Sequence, residues 1–188
     1  MLRLPGVVLT LCCVVAAYSC SSTDDDVTPM EVDGNVTPTM VTDSVNSHVS
    51  DSGITRYRIE APLWLMFDKA DEPCWRFPES LHIERFDDNM NVTATVDCDS
   101  ATYFTRLKLW RLDGNVRMRN LEGDLFMTEQ VFWNQSARTV YSDLFVHIER
   151  SDRIMEGTGF ISNEQMTRYT LRQPTGIFPI KEQSLSQK

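Results

Sequence analysis

The strongest constraint on this chain is a two-residue alternation that runs through most of its length. Tyr57, Ile59, Ala61, Leu63, Leu65 and Phe67 fall on one side; Arg56, Arg58, Glu60 and Pro62 fall on the other. Val92, Ala94 and Val96 alternate with Thr93, Thr95 and Asp97, and Val140, Leu144, Val146 and Ile148 with Tyr141, Asp143, His147 and Glu149. A period of two is what a half-buried strand requires, because successive side chains leave opposite faces. Turn clusters break the pattern at short intervals: Asp87-Asp88-Asn89, Asp113-Gly114-Asn115, Glu122-Gly123-Asp124, Asn134-Gln135-Ser136 and Ser151-Asp152. No stretch keeps the i, i+3, i+4, i+7 spacing of a helix. Residues 124–156 lack Gly and Pro, yet their β-branched and aromatic content favours strands. The expectation is an all-β domain over 54–180, followed by a polar tail at 181–188.

The strands repeat. Asp113-Gly114-Asn115-Val116-Arg117-Met118 aligns with Asp143-Leu144-Phe145-Val146-His147-Ile148, and Ser80-Leu81-His82-Ile83 fits the same frame. A second recurring piece is Glu60-Ala61-Pro62-Leu63, Asp97-Cys98-Asp99-Ser100-Ala101, Glu129-Gln130-Val131 and Asn163-Glu164-Gln165-Met166. In this frame Leu81, Ile83, Val116, Met118, Val146 and Ile148 make an apolar ladder on one face, continued by Tyr57 and Ile59. His82, Arg117 and His147 take the polar face.

Charge divides the chain in two. Net charge is -9, from 18 Lys and Arg against 27 Asp and Glu. Residues 1–55 hold seven of the acids and one base, Arg3; residues 56–188 hold the other 20 acids and 17 bases, a net of -3. An acidic chain is unsuited to tracking nucleic-acid phosphates, so no nucleic-acid partner is expected. Arg3 precedes an apolar run, Leu4 to Ala17, shorter than the roughly 20 residues a membrane span needs. The run ends in Ala17-Tyr18-Ser19-Cys20, which looks like a bacterial lipoprotein signal: residues 1–19 would be removed and Cys20 acylated. A plain secretory peptide is the other reading. Residues 21–53 are Ser, Thr, Asp, Val and Asn without an aromatic, a composition that predicts a disordered acidic tether over 20–53.

Three pieces carry a family resemblance: Asp51-Ser52-Gly53-Ile54-Thr55-Arg56-Tyr57, Trp110-Arg111-Leu112-Asp113-Gly114-Asn115-Val116 and Ile154-Met155-Glu156-Gly157-Thr158-Gly159-Phe160. In these the chain resembles the LptC family of the lipopolysaccharide transport bridge, and more broadly the OstA-like modules, over about residues 50–180. The resemblance implies an open, twisted β-jellyroll of antiparallel strands that holds lipid acyl chains between its two sheets. It implies that lipopolysaccharide arrives from an inner-membrane ABC transporter and passes to a periplasmic OstA-like bridge protein joined by edge-strand pairing. It implies no enzyme activity and no cofactor. The groove would be lined by Tyr57, Ile59, Leu81, Ile83, Val116, Met118, Val146 and Ile148. Gly176-Ile177-Phe178-Pro179-Ile180 would supply an edge. Family members typically carry an N-terminal membrane helix, where this chain offers Cys20. The location implied is the periplasm, held at the inner membrane by the lipidated Cys.

The remaining chemistry is sparse. Arg106, Lys108, Arg111, Arg117 and Arg119 cluster mid-chain, and Arg117 and Arg119 are candidates for lipid headgroup phosphates, since guanidinium suits bidentate phosphate contact. A solvated strand face is the alternative. Cys74 and Cys98 either form a disulfide, as an oxidising envelope permits, or remain buried thiols. No G-x-S-x-G, P-loop, H-E-x-x-H or CxxC occurs, so no catalytic residue and no metal site are expected. Besides the relay, the same sequence fits a surface or outer-membrane lipoprotein whose β-sandwich is a packed interaction domain. The Asp24-Asp25-Asp26 run beside Cys20 favours that reading.

Overall fold

A computed structural model describes residues 33–179. The predicted signal peptide, Cys20, the first part of the tether and the C-terminal tail lie outside the described residues. The described residues contain eleven strands and no helix: β1 (Met40–Asp51), β2 (Ile54–Phe67), β3 (Cys74–Phe77), β4 (Leu81–Phe86), β5 (Val92–Cys98), β6 (Ser100–Phe104), β7 (Leu109–Arg119), β8 (Leu125–Asn134), β9 (Thr139–Glu149), β10 (Arg153–Asn163) and β11 (Tyr169–Pro179). All pairings are antiparallel within one sheet. The expected jellyroll-like all-β fold is therefore present.

The long strands build it by bending in the middle. β2 pairs with β4 through Tyr57–Glu60 and with β3 through Leu65–Phe67. β7 pairs with β6 through Leu109–Asp113 and with β5 through Arg117–Arg119. The sheet thus forks between β2 and β7 into two halves, one through β4 and β5, the other through β3 and β6. Beyond β7, strands β8 to β11 each run through both halves, with register breaks at the bend. β1 and β11 are the two free edges.

Asp113-Gly114-Asn115, expected as a turn, is this bend in β7. Gly114 and Asn115 both have positive φ, at 78° and 45°. A Cβ on Gly114 would lie 2.7 Å from Asp99 Oδ2, so glycine is required there for two reasons. Asn115 Nδ2 donates to Asp99 Oδ2 at 2.6 Å, and Arg111 Nε and Gln130 Nε2 donate to Asp113 at 2.7 and 2.6 Å. Around Asp99, Asp113 and Gln130 the recurring acidic and amide residues satisfy groups where the strands turn from one half to the other, whereas the last copy, Asn163-Glu164-Gln165-Met166, forms the turn between β10 and β11.

The expected tether ends earlier than predicted. Met40–Asp51 forms β1, paired along its length to β2, and Asn35 before it exchanges hydrogen bonds with Asp71. The folded domain therefore includes residues read as disordered. The physical reason is that β1 has a neighbour on one side only. Most of its side chains face solvent, and only Val45 is buried. Backbone pairing, not apolar content, holds it.

The main core is an apolar cluster between the halves, with a small second cluster of Phe67, Ala70 and Cys74. In the first half a cross-strand row runs Ile59, Ile83, Val96, Met118, Phe126, Ile148 and Met155, each directly opposite the next. In the second half the corresponding row is aromatic: Trp75, Tyr103, Trp110 and Trp133, again in register. Ring centroids along it are 5.1, 4.8 and 6.3 Å apart. Tyr57 crosses from the first half to Trp133 at 5.5 Å. Phe126 crosses to Phe160 and Tyr169 at 5.9 and 5.1 Å. Burying such side chains contributes about 1.5–3 kcal/mol each.

Candidate functional site

Among the hollows of the described residues, three lie at the fork or between the half-sheets. The largest, about 720 Å³, is the fork itself, bordered by Glu60, Ser80, His82, Asp97, Asp99, Asn115 and Arg117. His82 Nδ1 lies 2.6 Å from Asp97 Oδ1. Val45, Ala61, Pro62, Leu81 and Cys98 line it as well, so its lining is mixed, with charged side chains among apolar ones. The other two lie between the half-sheets and are apolar. A chamber of about 180 Å³ is lined by Val49, Tyr57, Ile59, Trp75, Ile83, Tyr103, Trp110, Trp133 and Gln135. A smaller one, about 40 Å³, is lined by Tyr57, Ile83, Arg85, Ala94, Val96, Leu112, Met118, Val131, Trp133, Val140, Glu164 and Met166. Tyr57, Ile83 and Trp133 border both, so the two form one interrupted cleft along the aliphatic and aromatic rows.

The cleft is closed across its mouth. The turn between β10 and β11 folds inward and buries Met166 to 2% exposure. Met166 has φ 55°, and Asn163 Oδ1 holds the turn by accepting from the amides of Thr167 and Arg168 at 3.0 and 2.9 Å. Asn120, buried in the β7–β8 turn, donates from Nδ2 to the Met166 carbonyl at 3.0 Å. The Tyr57 hydroxyl donates to Glu164 Oε1 at 3.3 Å. Burial, then the Glu164 charge, push the Tyr57 hydroxyl up to about 12.

The structure brings the expected groove residues together. Ile59, Leu81, Ile83, Val116, Met118, Val146 and Ile148 are buried in the core cluster, and Tyr57 packs against it. Val116 and Val146 both lie opposite Thr128, and Met118 and Ile148 both lie opposite Phe126. Arg117 and Arg119 do not join them. They are exposed on the outer face of the sheet, with Arg119 NH1 donating to the Gly123 carbonyl. Alternation from buried Val116 and Met118 forces this placement, so the expected headgroup contact falls on the wrong side of the strand for the cleft. Cys74 and Cys98 are free, buried thiols on different strands, Cys74 in a small cluster with Phe67 and Ala70 and Cys98 in the main core. The disulfide alternative is not realised. Burial, with Asp113, Asp97 and Asp99 nearby, pushes the Cys98 thiol up to about 12. Sequence reasoning missed the aromatic row, Met166 and Arg85. The tryptophans are spaced irregularly in the chain and align only through the register.

The family model described as lipopolysaccharide-assembly, LptC-related, matches residues 7–175. The chain belongs to the LptC family. No curated protein matches it. Membership of the LptC family gives the chain a role in lipopolysaccharide transport within the cell envelope, in a family that serves as a component of the transport bridge. Among the described residues no group of three or more His, Cys, Asp or Glu is placed to hold a metal ion. His82 and His147 each lie between two carboxylates on the outer face, Asp97 and Glu84 for one and Glu156 and Glu149 for the other. The interior cleft is more fully apolar than the fork.

Proposed function

We propose that this chain is a lipopolysaccharide relay, taking the lipid from an inner-membrane ABC transporter and passing it to the next β-jellyroll of the bridge. Acyl chains lie between the half-sheets, against Tyr57, Ile59, Leu81, Ile83, Val116, Met118, Val146 and Ile148 on one wall and the Trp75–Trp133 row on the other. The supporting observation is the row that runs in register from Ile59 to Met155, facing an aromatic row across a cleft of two chambers. From β1 to β11 the first half spans nine strands, about 40 Å at 4.8 Å spacing. One domain is thus a link, and its free edges β1 and β11 are where neighbouring modules add strands. Pro174 and Pro179 in β11 limit how far such pairing runs. Cys20, once acylated, holds the domain at the membrane; each buried CH₂ adds about 0.8 kcal/mol.

The chambers are small. Pockets that enclose a drug-sized ligand run to about 300–1,000 Å³, against about 180 and 40 Å³ here. Loading therefore separates the half-sheets, and the Met166 turn is the part that must move. The same tight packing favours the second reading, a packed interaction domain on a surface lipoprotein. Depletion in cells separates the two: lipopolysaccharide accumulates at the inner membrane if the chain is a relay, and transport continues if it is an interaction domain. The intact mass of the mature chain tests the anchor, since it must begin at an acylated Cys20.

A further inference from the structure

Arg85 lies on β4 two residues beyond buried Ile83, so alternation turns it to the same inner face. It borders the 40 Å³ chamber and also a hollow of about 310 Å³ whose lining includes the charged and polar side chains of Arg56, Asp87, Asp88, Gln165 and Thr167. It therefore marks the boundary where apolar lining gives way to water. The acids nearby are engaged elsewhere. Asp87 accepts from the Asn89 and Asn91 amides and from Asn91 Nδ2 at 2.9–3.0 Å. Asp88 pairs with Arg56 at 2.6 Å, and Glu164 accepts from Tyr57. Among the described residues Arg85 forms no ion pair, unlike Arg56, Arg58, Arg111, Arg150, Arg153 and Arg172; Arg76, Arg106, Arg117, Arg119, Arg138 and Arg168 are likewise without one, but of these arginines Arg85 alone borders the apolar chambers. Its side chain also has no hydrogen-bond partner, unlike that of Arg106, which donates to the Asp71 carbonyl.

A lone guanidinium at the rim of an apolar cleft fits an amphiphile whose anionic head stays in water while its chains go inside. We propose that Arg85 binds a phosphate group carried on the head of the lipid, with Gln165 and Thr167 as neutral donors from the facing turn. The proposal rests on the lipid-relay reading and gives its headgroup a place that Arg117 and Arg119 do not occupy. Guanidinium matches phosphate bidentately, and a charge-assisted contact of this kind is the strong class of hydrogen bond.

The test measures binding of three probes to the full chain: lipopolysaccharide, the same lipopolysaccharide dephosphorylated with a phosphatase, and inorganic phosphate. Arg85→Gln should weaken lipopolysaccharide binding about tenfold or more and leave the dephosphorylated lipid unchanged. Arg85→Lys should retain part of the affinity, and the Arg117→Gln/Arg119→Gln pair should change nothing. Equal loss for both lipids, or no loss for either, overturns the phosphate contact while leaving the relay reading intact. Displacement of lipopolysaccharide by inorganic phosphate at comparable concentration assigns the site to a free anion and overturns the lipid source. Failure of the wild-type chain to bind either lipid overturns the relay reading itself. Thermal melts of the Gln and Lys variants should match the wild type; a fall in both would make Arg85 structural and overturn the proposal.

Discussion

Asn120 reaches across the mouth of the jellyroll and donates from Nδ2 to the carbonyl of Met166, 46 residues away, at 3.0 Å. The same side chain accepts from the Asp124 amide at 2.9 Å, so one amide ties its own turn and the facing turn together. Its burial makes both bonds costly to lose.

Asn120→Ala should lower stability by about 1–3 kcal/mol, the cost of leaving buried polar groups without partners. Denaturant titration measures this. The relay reading adds a second outcome: lipid exchange should be faster in the variant, because the closure across the cleft is weaker. Met166→Ala should cost more, about 2–5 kcal/mol, since it also opens a void.

The bend at Gly114 gives an independent check on the fold. Gly114→Ala places a Cβ at positive φ and 2.7 Å from Asp99 Oδ2. A loss of about 1–2 kcal/mol is expected from the conformation alone, with more from displacing Asp99. An unchanged denaturation midpoint would show that β7 does not bend there.

How much of this was legible in the sequence differs by element. The ladder from Tyr57 to Ile148 was readable because alternation is local: Val116 and Met118 predict their own burial. The repeat was readable too, although its cause was not. Asp113-Gly114-Asn115 has the composition of a turn, and only pairing on both sides of it shows a strand that changes half-sheet. β1 was hidden because an edge strand with one neighbour needs little apolar content. Alternation already put Arg117 on the polar face; the headgroup role for Arg117 and Arg119 came from their clustering in sequence, which carries no information about which face meets the cleft. Arg85 was overlooked because a single arginine inside an apolar register has no signature until the cleft mouth is located.

Alkaline pH should destabilise the fold from about pH 9 upward. Burial raises the Cys98 thiol from 9.0 to about 12 and the Tyr57 hydroxyl from 10.0 to about 12. Between the unfolded and folded values the native chain binds more protons than the unfolded one, so stability is present below this window and falls across it. For Cys98 the slope reaches at most about 1.4 kcal/mol per pH unit. Denaturant melts from pH 8 to 12 check this, and Cys98→Ala should flatten the lower part of the curve.

The thiols give a chemical readout. Alkylation of the unfolded chain without reductant, followed by peptide mapping, should label both Cys74 and Cys98. In the native chain both should resist labelling, as buried thiols do. A Cys74–Cys98 linked peptide would contradict the structure.

Photo-crosslinking in cells tests the central claim most directly. A photoreactive residue at Val116 or Val146, on the inner face, should capture lipopolysaccharide. The same residue at Arg117, one position away and on the outer face, should not. Capture at Arg117 equal to that at Val116 and Val146, or at none of the three, would contradict a lipid path between the half-sheets.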